Sequence, residues 1–146
     1  MASQPLCRIV TAIQPSMLMY LADSGIWSYP GDEPIKRALA DAVEDLRNVV
    51  DRAGVVLQER EVVMPQRAAY PLSFTSLHDL NLRALLPRVI DGLKRQLAAL
   101  DALVGPAGTD AAAADLVTDA QQSTRQHLDV LEQLAAKLKA GLAGTA

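Results

Sequence analysis

Two histidines and one cysteine are the side chains of this 146-residue chain best suited to bind a transition metal or to act in acid–base or nucleophilic chemistry near neutral pH. His127 lies at helical spacing among apolar residues, one turn after Thr124, so we expect its ring to border a core. There it is either a neutral histidine hydrogen-bonded to Thr124, Gln121 or Gln96, or a ligand of a single metal or small molecule. Because an unpaired buried polar group costs about 1–3 kcal/mol, we favour the hydrogen-bonded core histidine.

His78 and Cys7 offer less chemistry. His78 stands beside Asp79 at the expected start of a helix, where a solvated or capping role fits best. Cys7 lies among apolar residues and has no neighbouring histidine or lysine that would favour its thiolate form. A single cysteine also excludes an intrachain disulfide. We therefore assign no catalytic residue from the sequence.

The elements that must position these side chains are helices. Half of the residues are hydrophobic and only 3% are aromatic, and the preference for alanine and leucine favours helices over strands. Apolar residues recur three and four apart almost throughout. The pattern predicts an all-α fold, one four-helix bundle domain over 1–146. Its helices are expected at about 4–24, 33–60, 76–104 and 110–140.

Proline and glycine interrupt this pattern at three places. Pro15 should kink the first helix or start a new one, because proline removes a helical hydrogen bond. Pro87 should bend the third helix. The stretch Gly105-Pro106-Ala107-Gly108 is expected to be a stop and turn before the fourth helix.

The connections between the helices predict the topology. The first and third connections are short, so they join antiparallel neighbours. The middle connection begins at Glu61 and has about 15 residues, a length that is uncommon without a reason. Fully extended, it spans roughly 50 Å, whereas the second helix is roughly 40 Å long. A crossover along the whole bundle, with an up-down-down-up arrangement, is therefore expected between helices two and three.

This layout resembles the ferritin-like fold. The stretch Tyr70-Pro71-Leu72-Ser73-Phe74-Thr75, followed by Leu85-Leu86-Pro87, is similar to bacterial ferritin-like proteins of the rubrerythrin type. The resemblance implies a site for two metal ions between the helices. Two helices would each supply a glutamate, and the other two a Glu-x-x-His pair.

The sequence departs from that ligand set. The fourth helix has Thr124-x-x-His127, which keeps the histidine and lacks the carboxylate. On the second helix, Glu44-x-x-Arg47 and Asp45-x-x-Asn48 have no histidine and flank the apolar stripe. The third helix offers Asp91 and Gln96, and the first offers Gln14. We therefore predict no metal and no cofactor, but a vestigial site. Its candidate residues are Gln14, Gln96, Thr124 and His127.

Three functions remain open on these residues. The first is a non-catalytic protein that acts through association or binding, as a homodimer or other homo-oligomer, and we lean toward this one. The second is a metal enzyme, either rubrerythrin-like or similar to the DinB family, with His127 and His78 as ligands. The third is a carrier of a small molecule or lipid between the helices. The sequence does not identify the small molecule.

Charge and hydropathy narrow the partners and the compartment. The formal net charge is −3 and no basic stripe is present, so nucleic acid is not expected as a partner. No stretch reaches the 18 or so apolar residues of a membrane span. Arg8, Thr11 and Gln14 interrupt the first apolar segment, which argues against a signal peptide. We therefore expect a cytoplasmic protein with no membrane association.

Overall fold

The computed structural model describes residues 3–14, 16–24, 33–63, 65, 70 and 82–145, and these residues are all-α, with no strand among them. Six helices pack against one another. Their bounds are α1 Gln4–Ile13, α2 Met17–Ser24, α3 Glu33–Glu59, α4 Leu82–Asp101, α5 Val104–Ala107 and α6 Ala111–Thr145. None of these helices is both long enough and apolar enough to cross a membrane.

The first expected helix is two helices. α1 ends at Ile13 and α2 begins at Met17, on either side of Pro15, which itself lies outside the described residues. The backbone N–H of Gln14 still bonds to the carbonyl of Val10. Two residues later, the Ser16 hydroxyl accepts the N–H of Met19 at 3.3 Å and so caps α2. Of the two outcomes expected for Pro15, the structure has the fresh start.

α3 covers the expected second helix to within one residue. Its buried residues recur at helical spacing and form one apolar stripe. The helix ends because Glu61 adopts a left-handed conformation, with a φ of 58°. The N–H of Val62 then bonds to the carbonyl of Leu57 at 2.9 Å, and that of Glu61 to Gln58 at 3.0 Å. This is a Schellman motif, in which glycine is the usual left-handed residue.

The third expected helix differs from the structure at its C-terminal end. α4 runs through Pro87 and stops at Asp101, while residues 76–81 lie outside the described residues. The predicted turn at Gly105-Pro106-Ala107-Gly108 is wrong for its first three residues, which belong to the helical turn α5. Proline is tolerated there because the first N–H groups of a helix need no intrahelical partner. Ala107 is fully buried, which holds the turn against the core.

α6 is the longest helix and packs most extensively against α3 and α4. It runs antiparallel to α3, because residues nearer the start of α3 pair with residues nearer the end of α6. The side-chain pairs are Arg60–Asp110, Arg52–Asp119 and Asp45–His127. The same reversal relates α6 to α4. Those pairs are Asp101–Gln121, Gln96–Thr124 and Lys94–Glu132.

The C-terminal end of α3 and the N-terminal end of α6 meet at a bidentate ion pair. Arg60 donates to both oxygens of Asp110, at 2.6 and 2.9 Å, and its Nη1 lies 3.4 Å from the Ser3 hydroxyl before α1. Asp110 also caps α6 by accepting the N–H of Ala113 at 3.4 Å. The hydrogen bond from Arg60 is the main reason that the pKa of Asp110 falls to about 2, and the cap adds to it.

We expect Asp110→Ala to lower the free energy of unfolding at pH 7 by about 1–2 kcal/mol from loss of the cap alone. Asp110→Asn keeps a capping oxygen and loses the charge, so its loss should be smaller. Because the pKa of Asp110 is lowered on folding, its contribution is present above its ordinary value and disappears as the pH falls toward 2. Urea unfolding from pH 7 to pH 2 measures this. A difference between wild type and Asp110→Asn that stays constant down to pH 2 would contradict the account.

Candidate functional site

The described interior contains one polar layer, made by α4 and α6. Gln96 is 4% exposed and Thr124 is fully buried, and they are the only buried polar or charged residues in the described part of the chain. Gln96 lies on α4 between the buried Leu93 and Leu100, at spacings of three and four. Thr124 lies four residues after the buried Ala120 on α6. Each helix therefore turns one polar residue of its apolar stripe toward the other.

The two side chains form a short hydrogen-bonded chain. The amide Nε2 of Gln96 donates to Oγ1 of Thr124 at 3.1 Å. That hydroxyl donates in turn to the carbonyl oxygen of Ala120, at 2.7 Å. Every member of the chain is neutral, so the layer can bind and orient through hydrogen bonds without carrying a charge into the core.

Among the residues that the structure describes, two buried side-chain oxygens have no hydrogen-bond partner. They are Oε1 of Gln96, at the open end of the layer, and Oγ of Ser123 on α6. Most buried polar atoms in proteins are hydrogen-bonded, so an unpartnered one calls for a specific explanation.

His127 does not belong to this hydrogen-bonded chain. Its Nε2 lies 2.6 Å from Oδ2 of Asp45, across the contact between α6 and α3. The predicted partners Thr124, Gln121 and Gln96 are therefore wrong. Thr124 and Gln96 bond to each other, and Gln121 donates to Asp101 at 2.7 Å. On α6, residue 127 is three positions from 124, far enough round the helix to face α3 rather than α4.

The Asp45–His127 pair lies at the surface end of the core. The His127 side chain is 12% exposed, whereas that of Asp45 is 56% exposed. A carboxylate that holds one ring nitrogen fixes the orientation of the imidazole, as it does for many metal-bound histidines. In the described ranges, however, no group of three or more histidine, cysteine, aspartate or glutamate residues is placed to hold a metal ion.

The structure places Gln14 apart from the layer. Gln14 follows α1 and lines a recess of about 190 Å³ at the junction with α2. The rest of the lining is Ile13, Met19, Arg47, Val50 and Asp51. Within the described part of the chain, Gln14 makes no hydrogen bond to Gln96 or Thr124. Of the four candidate residues, the structure brings only Gln96 and Thr124 into contact.

The remaining expectations fall mostly outside the described residues. His78 and the stretch 71–75 lie there, so their predicted roles stay predictions. Cys7 is half-buried on α1 against the hydrophobic core, in line with its apolar neighbours. Asp91 is exposed on α4.

Sequence reasoning missed the row of paired side chains between α3 and α6. Three side chains recur seven and eight residues apart, Asp45 and Arg52 on α3 and Arg60 directly after its end, and each meets a side chain on α6 or directly before it. That spacing keeps the three on one side of the helix. The sequence contains a sign of this row, because the partners on α6 and directly before it recur at nearly the same interval in reverse order. The partners are His127, Asp119 and Asp110.

We expect His127→Leu to keep or raise the melting temperature. Asp45 is mostly exposed and stays solvated when its partner is removed, while the half-buried ring site accepts an apolar side chain. Thermal unfolding followed by circular dichroism measures the effect, with Asp45→Asn as the control that keeps the histidine. A loss of several degrees in His127→Leu would mean that the pair is required for folding.

Comparison with known proteins adds no relative. No family model, curated protein or solved structure matches this chain.

Proposed function

We propose that the chain is a ferritin-like four-helix bundle without a complete di-iron site, and that it acts through binding or association rather than catalysis. The observation that carries the proposal is the Gln96–Thr124 hydrogen bond in the interior. An amide and a hydroxyl stand in the interior, where the resemblance calls for metal-binding carboxylates. Their hydrogen-bonding groups recognise a neutral polar group more readily than they activate a metal ion.

The packing of the helices supports the bundle. α1 and α2, counted as one broken helix, pack against α3 and α4, and α6 packs against the same two. The packing of α3 on α4, and of α1 on α6, is the least extensive of these contacts. Four segments in a square produce this pattern, with α3 and α4 on one diagonal. Since both run antiparallel to α6, they run parallel to each other, which favours the up-down-down-up order.

The crossover is supported by one aromatic contact. Tyr70 meets Tyr20 of α2 edge to face, with ring centroids 5.2 Å apart. Ala22, half a turn further along α2, lines a groove with Ala40 and Val43 of α3. That level is roughly 25 Å along the axis from Arg60, where α3 has ended. Ten residues of extended chain cover roughly 33 Å, so residues 60–70 suffice to run back along the bundle.

A second candidate rests on the Asp45–His127 pair. A histidine oriented by a carboxylate has one ring nitrogen left for a metal ion, which is the arrangement that a single-metal enzyme would use. His127 would then need further ligands, and His78 is the other histidine of the chain. Association of two copies into a homo-oligomer is part of the first proposal.

Metal analysis of the purified protein separates the two candidates. The first predicts well below one iron or manganese ion per chain, and about two ions per chain would contradict it. Titration with zinc or nickel tests the second. We expect that His127→Ala does not change the binding of either metal. A single site that is abolished in His127→Ala and retained in the matched variant Gln126→Ala would favour the metal enzyme.

A further inference from the structure

We infer that the open end of the Gln96 amide is a binding site for a small neutral hydrogen-bond donor, either a water molecule or the hydroxyl or amide head of an otherwise apolar molecule. The inference rests on the proposed function, since it treats the polar layer as a binding element. The group that the polar layer binds is thereby a neutral hydrogen-bond donor.

The hydrogen bonds of the layer fix which end of the amide is open. A threonine hydroxyl has one hydrogen, and that of Thr124 is used by the Ala120 carbonyl at 2.7 Å. Toward Gln96, the hydroxyl oxygen can then only accept. The Nε2 end of the amide therefore faces Thr124, and Oε1 points away from it. The opposite orientation would place two acceptors against each other.

An open Oε1 requires a donor. The Gln96 side chain is almost completely buried, so bulk water does not reach this oxygen, and it has no protein partner. A buried acceptor that gives up its hydration without a replacement lowers stability. The group that completes the layer must supply an O–H or N–H hydrogen.

The surroundings require that donor to be neutral. The residues next to Gln96 on its own stripe are Leu93 and Leu100, and those one turn before and after Thr124 on the facing helix are Ala120 and Leu128, all buried. No charged residue is buried in the described ranges, so an ion at this depth would have no buried counter-charge among them. An apolar wall with one acceptor suits water, or the polar head of a molecule whose body is apolar.

The test is a high-resolution crystal structure of the protein as purified, together with native mass spectrometry of the same sample. We expect density for a donor about 2.7–3.2 Å from Oε1 of Gln96. An isolated peak without added mass identifies water. Continuous density with a matching added mass identifies the head of a bound molecule. An Oε1 with no donor within hydrogen-bonding distance, or one paired with another side chain, overturns the inference.

A variant gives an independent measurement in solution. Gln96→Met keeps the length of the side chain and removes both hydrogen bonds, so we expect the melting temperature to fall by about 3–6 °C. The matched control Gln126→Met changes an exposed glutamine of α6 and should have almost no effect. A melting temperature that is unchanged or raised in Gln96→Met means that the amide oxygen has no donor, and it overturns the inference. That result would leave the proposed function standing, because the proposed function is contradicted only by a metal content of about two ions per chain.

Discussion

α6 has to pack against α3 and α4 at once, and the other features of the molecule depend on how it does so. One side of this helix carries the partners of α3, and another side carries those of α4. Because both contacts are antiparallel, α3 and α4 point the same way.

The two contacts of α6 differ in chemistry. Toward α3 the paired groups are charged or titratable and lie at the edge of the core, as in Arg60–Asp110 and Asp45–His127. Toward α4 the central pair is neutral and buried, as Gln96 and Thr124. Burying a charge costs far more than burying an amide that keeps one hydrogen bond. The interior is therefore suited to hydrogen bonding, and ionic chemistry is confined to the rim.

The regular parts of this fold could be predicted from the sequence, and the irregular parts could not. α3 has an unbroken apolar stripe, which determines its length to within one residue. The turn α5 was missed because Gly105 and Pro106 usually end helices, while the burial of Ala107 depends on contacts that local sequence does not contain.

The candidate site shows the same division. Helical spacing was enough to place Gln96 and Thr124 at the core, but the partner of His127 was not predictable in the same way. It depends on the register between α3 and α6, which brings Asp45 beside residue 127, although 82 positions separate them along the chain. Gln14 is the one polar candidate in the middle of the expected first helix, but α1 ends at Ile13, so Gln14 lies at the break between α1 and α2.

The central claim is that a direct hydrogen bond between Gln96 and Thr124 joins α4 and α6 in the interior. A double-mutant cycle of Gln96→Met and Thr124→Val measures it through the free energy of unfolding. In the single variant Thr124→Val, the Nε2 donor of Gln96 loses its acceptor. In the double variant that donor is absent, so the double variant should lose less free energy of unfolding than the sum of the two single variants. The account predicts a coupling of about 0.5–3 kcal/mol, and strictly additive losses would contradict it.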